Sequence, residues 1–213
     1  LKWGAITLSE KRIVDLAFEE SLDAWKIYLR REGISALPWN REAVQLVSRL
    51  RRAAMNQPNR WPDWTDDALL QHFIESDLIP FQRNLPFERQ LKELLSWEQW
   101  RELEEKWPDR WISATGAKYP IDYERETPTL SAPIQEFYGG EKHPSIGDGL
   151  PLRIELLSPA RRPIQTTEDL PSFWKGSYAD VRKEMRGRYP KHDWPEKPWK
   201  ATPHRGPKKK RPA

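Results

Sequence analysis

The sequence predicts an α+β fold, with a helical first half packed on a small bent β-sheet or barrel, two short C-terminal helices and then a disordered basic tail. Three observations predict it. Apolar residues recur at helical spacing through residues 21–108, the period changes to two from Trp111, and beyond Tyr189 proline and lysine replace periodic apolar residues. The 12 Trp, 6 Tyr and 6 Phe among 213 residues supply the bulk for a core. Twenty prolines, about twice the usual share, keep the helices short.

Leu1–Asp15 reads as one or two short strands, with Trp3, Ala5 and Thr7 alternating before the polar Ser9-Glu10-Lys11-Arg12. Leu22, Trp25 and Leu29 then make one helical face, and Gly33 stands where a C-cap belongs. Asn40 caps a second helix carrying Val44, Val47, Leu50 and Ala54. Pro58 and Pro62 mark a loop, after which Thr65 or Asp66 caps a helix with Leu69, Leu70, Phe73 and Ile74. Asn84 and Pro86 precede Leu91, Leu94 and Leu95, and Ser96-Trp97-Glu98-Gln99 has the pattern of a capping box. That last helix must stop near Trp107-Pro108. Tyr119, Ile121 and Tyr123 alternate as a half-buried strand, and Leu150, Leu152, Ile154 and Leu156 form the clearest strand of the chain. Ile164–Thr166 is a shorter strand, followed by helices over Asp169–Gly176 and Ser177–Gly187, with Val181 and Met185 facing inward. The expected units are therefore 16–108 (helical), 109–192 (β-rich) and 193–213 (a flexible Pro/Lys-rich tail).

Charge is distributed unevenly. Residues 150–213 hold 16 basic and 7 acidic side chains, a net of +9, while residues 1–149 hold 20 and 25, a net of −5. A basic third on an acidic remainder points to an anionic partner for that third. No apolar run approaches 18 residues, so no membrane span or membrane partner is expected, and the expected location is cytoplasmic. There are no cysteines, and His72, His143, His192 and His204 are too scattered for a metal-ligand spacing. No glycine is followed by lysine and no GxGxxG occurs, so neither a Walker A loop nor a dinucleotide fingerprint is present. Catalytic and metal-ligating residues are accordingly expected to be none, and no cofactor is expected on this chain.

The remaining chemistry is basic and aromatic. Arg161-Arg162 lies in the turn after the best strand, and Lys175, Arg182, Lys183, Arg186, Arg188, Tyr189, Lys191, His192 and Trp194 follow closely. Arg182 and Arg186 share a helix face. Guanidinium forks suit phosphates, and Tyr189 or Trp194 offers a stacking surface for a base, the pattern expected of a single-stranded nucleic-acid site. The alternative is a latch in which these arginines pair with carboxylates and the aromatic rings fill a seam.

The run Leu156-Leu157-Ser158-Pro159-Ala160-Arg161-Arg162-Pro163, with Asp169-Leu170, Phe173-Trp174, Tyr178 and the stretch from Val181 to His192, resembles the C-terminal domain of HrpB-type helicases. Ile121-Asp122-Tyr123, Pro128, Leu130, Gln135-Glu136-Phe137 and Leu37-Pro38-Trp39 extend the resemblance upstream. It is close over 111–199 and weaker, though colinear, over 1–110. The sequence departs from the family where Asp193 follows His192 in place of the usual proline. The resemblance implies an accessory domain of a bacterial ATP-dependent RNA helicase. It further implies ATP and Mg for a helicase core absent from this chain, that core and single-stranded RNA as partners, and residues 1–15 as end strands of a preceding OB-like barrel. A protein-interaction module that latches the helicase or recruits a partner protein is the rival reading.

Overall fold

A computed structural model describes residues 17–206, apart from the side chain of Gln82, together with the backbone of residues 2–3 and 6–7. The rest of the expected Leu1–Asp15 strands and the lysine run at 208–211 lie outside the described residues. Strand β1 (Lys2–Trp3) pairs antiparallel with β2 (Ile6–Thr7).

The helical half forms as its spacing and caps dictate. Helix α1 (Phe18–Glu32) buries Leu22, Trp25 and Leu29, and ends at Gly33, whose φ of 70° suits a residue without Cβ. Helix α2 (Arg41–Asn56) starts where the Asn40 side chain accepts the Ala43 N–H at 2.7 Å. Helix α3 (Asp66–Glu75) is capped by Thr65, and α4 (Phe87–Lys92) follows Pro86. Helix α5 (Trp97–Lys106) begins with the expected reciprocal capping box, Ser96 N–H to Gln99 at 2.9 Å and Gln99 N–H to Ser96 at 3.2 Å.

The end of α5 is tied down from two sides. Buried Arg49 of α2 donates to the carbonyl oxygens of Trp107 at 2.7 Å and Leu103 at 3.3 Å. The Gly147 N–H reaches the Lys106 carbonyl oxygen at 2.6 Å. Carbonyls left over at a helix C-terminus need such donors. An apolar Arg49 replacement would strand them.

Strands β3 (Arg110–Ile112), β4 (Lys118–Asp122) and β5 (Thr129–Pro133) lead into a 3₁₀ turn at Ile134–Phe137. A small hairpin of β6 (Ser145–Ile146) and β7 (Leu150–Pro151) precedes β8 (Arg153–Leu157) and β9 (Pro163–Thr167). The five-stranded sheet has the order β3-β4-β5-β8-β9, antiparallel except for the parallel β5–β8 pair. It is an open sheet and not a barrel. One apolar cluster runs from Leu22 to Trp194, joining the helices to the sheet. The apolar-face positions named above are buried, except that Val44, Ala54, Leu70, Ile74, Leu94, Leu95, Leu150 and Val181 are half-buried against that cluster.

Helix α6 (Leu170–Lys175) and helix α7 (Tyr178–Arg188) follow the sheet. Of the segment beyond them, residues 189–206 are described. Trp194 and Pro198 are buried, and Gly139 N–H bonds the Pro198 carbonyl oxygen at 2.8 Å. Proline content alone does not free a chain when tryptophans along it find a groove. Residues 194–206 thus form a strap across the sheet end. No helix among the described residues is long and apolar enough to cross a membrane.

Candidate nucleic-acid interface

Asp169 caps α6 by accepting the Ser172 N–H at 3.0 Å, and Leu170, Phe173 and Trp174 are buried beneath it. Tyr178 and Met185 anchor α7 in the same way. With those positions inward, Lys175, Lys183 and Arg186 are exposed, as are Arg162 in the β8–β9 turn and Lys191 beyond α7. None of these five side chains makes an ion pair among the described residues.

Three of the expected contacts have partners within the chain. Arg182 has only 24% of its side chain exposed, and its Nε donates to the Trp194 carbonyl oxygen at 2.8 Å. Its terminal nitrogen meets Glu196 at 3.0 Å. Arg188 pairs with Glu184 one turn back at 2.9 Å. Trp194, expected as a stacking surface, is instead 4% exposed, with its indole N–H on the Tyr189 carbonyl oxygen at 3.2 Å. Its ring fills the seam under the strap, so it presents no face to a base. Tyr189 is half-buried, its hydroxyl 3.4 Å from Ser158 Oγ and its ring edge-on to His192 at 6.3 Å.

Arg161 and His192 come together in a second arrangement. With Lys118 of β4 and His204 and Arg205 of the strap, they line a cavity of about 460 Å³. Arg161 is the one non-glycine residue among the described residues with positive φ, at 61°. That backbone holds its guanidinium over the Tyr119 ring, 5.8 Å from the centroid.

Glu136, from the 134–137 turn, also lines the cavity. Its side chain is 1% exposed and accepts from Ser113 at 2.7 Å, Thr115 at 2.6 Å, Tyr119 at 2.7 Å and Arg205 at 3.1 Å. Burial pushes this carboxyl up, but the three hydroxyl bonds and the Arg205 charge outweigh it and hold it below the ordinary 4.5. The Tyr119 hydroxyl is pushed up to about 12, by burial first and then by its bond to Glu136. His192 is held below 6.5, mainly by burial and then by the nearby His204.

The β8–β9 turn thus gathers Arg161, Arg162, Tyr189 and His192, whereas Lys175, Lys183 and Arg186 lie on the exposed side of the α6–α7 pair. Sequence reasoning missed Lys118, Gln135, Glu136, His204 and Arg205 as cavity residues. The only local signal is the polar pair Gln135-Glu136 set inside Ile134 and Phe137-Tyr138, which marks a buried polar pair. Among the described residues no group of three or more His, Asp or Glu is placed to hold a metal ion.

A family model described as ATP-dependent helicase C-terminal (HrpB_C) matches residues 70–198, more than half of the chain. The chain belongs to the HrpB-type helicase C-terminal family. The ATP-dependent RNA helicase HrpB of Escherichia coli (strain K12) is 37% identical over 221 residues, spanning 98% of this chain and 27% of the relative. The crystal structure of the E. coli DExH-box NTPase HrpB superposes with a TM-score of 0.81 at 36% identity, over 95% of this chain and 26% of that one. A crystal structure of the Escherichia coli DEAH/RHA helicase HrpB gives 0.67 at 35% identity, over 90% of this chain and 26% of that one. The chain spans about a quarter of the length of the relatives it matches. The HrpB_C match includes α6, α7 and Trp194 and ends at Pro198, before His204 and Arg205.

Proposed function

We propose that this HrpB-type domain is the accessory C-terminal part of a bacterial ATP-dependent RNA helicase and contacts single-stranded RNA through the basic side of α6, α7 and the β8–β9 turn. The observation that carries the reading is the set of five exposed cations without ion pairs among the described residues: Arg162, Lys175, Lys183, Arg186 and Lys191. Cations held free of carboxylates keep their charge available for phosphates, and such contacts position a strand without reading its sequence. The RNA partner is in keeping with the printed name of the E. coli relative. ATP hydrolysis with Mg, in the cytoplasm, is assigned to the helicase core of the same polypeptide. Docking on that core is supported by exposed Phe18 and Tyr28 on one side of α1 and exposed Phe81 against Trp25 on that side.

A structural share for the motif is favoured by one observation, the bond from Arg182 to the Trp194 carbonyl oxygen. A latch with every member closed pairs Arg182, Arg186 and Arg188 with carboxylates and buries Tyr189; among the described residues Arg182 and Arg188 are paired, Arg186 makes no ion pair and Tyr189 is half-buried. The motif then serves both ends, Arg182 and Trp194 holding the strap while the free cations face the strand. Fluorescence anisotropy with a labelled single-stranded RNA tests the assignment. Lys183→Ala/Arg186→Ala/Lys191→Ala should weaken binding by about tenfold or more at low salt. Equal binding by the triple variant and the unaltered chain would refute it.

A further inference from the structure

The cavity between β4, the 134–137 turn, the β8–β9 turn and the strap is lined by Lys118, Arg161, His192, His204 and Arg205, residues from four separate stretches of chain. Among the described residues its one acidic lining group is Glu136. Both oxygens of that carboxylate are already occupied, one by Ser113 and Thr115 and the other by Tyr119 and Arg205. Arg205 uses only Nε in its bonds to Glu136 and Thr115, so the remainder of its fork is left over.

Two buried polar atoms at this cavity lack partners. Gln135 is 3% exposed, lines the cavity, and its side-chain amide nitrogen has no acceptor among the described residues. His204 Nε2 is likewise buried without a partner there. A buried polar atom left unpaired is costly, and two of them mark this corner as one whose polar groups are not all satisfied within the described residues. Arg161 adds an independent sign, because arginine at positive φ is strained where glycine would not be. Strain of this kind persists where the placed side chain has a use.

We infer that this cavity is a phosphate site, in which the lining side chains of Lys118, Arg161 and Arg205 donate to phosphate oxygens while His192 supplies a further donor. Two guanidinium groups and an ammonium brought to one cavity from separate stretches of chain suit an oxyanion with several acceptor oxygens. The volume exceeds a lone phosphate and leaves room for an attached sugar. The inference deepens the RNA reading and rests on it only for where the phosphate comes from, an internal diester of a bound strand or a free monoester.

Nuclear magnetic resonance on the ¹⁵N-labelled 213-residue chain tests it, following the Gln135 side-chain amide, the His192 and His204 imidazoles, and the α7 backbone amides. Inorganic phosphate should shift the Gln135 and histidine signals saturably, and chloride at equal ionic strength should not. Arg161→Gly, which suits the local backbone, should keep the spectrum of the fold and weaken the phosphate response by about tenfold. If only a 5′-phosphorylated RNA moves the cavity signals, the source is a monoester; if a 5′-hydroxyl RNA moves them equally, it is a diester; either supports the site. Phosphate shifting the cavity while neither RNA shifts α7 upholds the site and removes the RNA reading. An unmoved cavity with both phosphate and RNA, while RNA shifts α7, overturns the site and leaves the RNA reading standing. An unchanged phosphate response in Arg161→Gly also overturns it.

Discussion

Replacing Glu136 by glutamine removes the charge beneath the cavity while keeping the shape. The carboxylate accepts three hydroxyl bonds of 2.6 to 2.7 Å and one from Arg205 at 3.1 Å. The amide oxygen can keep Tyr119 and Arg205, neither of which has to reverse. The amide nitrogen then faces Ser113 and Thr115, whose hydroxyls must turn to accept, although Ser113 Oγ already accepts the Ala117 N–H at 3.2 Å. Bonds to a charged group contribute about 1.5–3 kcal/mol each and neutral ones about 0.5–1.5. Losing that margin on the Tyr119 bond and straining the Ser113 and Thr115 bonds amounts to about 3 kcal/mol. The Arg205 pair adds little, since that side chain is 55% exposed. For a chain of this size the loss lowers Tm by about 6–12 °C. The carboxyl is held below its ordinary 4.5, so its contribution is present above that pH and disappears as pH falls through the folded-state value. Urea unfolding followed by tryptophan fluorescence, at pH 7 and at steps below pH 5, measures both effects. The glutamine variant should be less stable at pH 7 and should lose less on acidification. A variant within about 0.5 kcal/mol of the unaltered chain at pH 7 refutes the account of Glu136 as the anchor of this corner.

Two other substitutions probe the frame. Arg182→Ala removes the 2.8 Å bond to the Trp194 carbonyl oxygen and should cost about 1–2 kcal/mol in urea unfolding while leaving RNA affinity within about twofold, because this side chain is already committed to the strap. Strong loss of RNA binding at unchanged stability would move Arg182 to the interface. Gly147→Ala puts a Cβ 2.6 Å from the Trp107 ring on a backbone with φ of 55°, and should destabilise by about 2–3 kcal/mol through strain and displaced packing. Unchanged thermal unfolding would show that the α5 end does not depend on this contact.

Local chemistry made most of the helices legible. Asn40, Thr65 and the Ser96–Gln99 box start helices because short polar side chains satisfy their free N–H groups, and such signals need no tertiary context. Strand β5 is hidden because Pro128 precedes it, Pro133 ends it, and burial on both faces erases its alternation. The strap was hidden for the opposite reason: its prolines and lysines suggest disorder, whereas the decisive feature is the fit of Trp194 and Pro198 in a groove made by distant elements. Exposed cations on α7 were readable from helical spacing, but which of them are paired was not, since Glu196 and the Trp194 carbonyl belong to the strap. The cavity is the least readable part. Lys118, Gln135, Arg161 and Arg205 meet only after the parallel β5–β8 pairing and the strap bring them to one end of the sheet.

The salt dependence of RNA binding tests the central claim most directly. Five free cations on phosphates of a single strand predict that log K falls with log salt at a slope of about −3.5 for the unaltered chain. In Lys183→Ala/Arg186→Ala/Lys191→Ala two of the five remain, and the slope should shrink to about −1.4. Anisotropy titrations of one labelled RNA across salt concentrations give both slopes. A slope that is the same in both proteins, or near zero in the unaltered chain, would contradict the basic side of α6, α7 and the β8–β9 turn as the RNA-contacting surface.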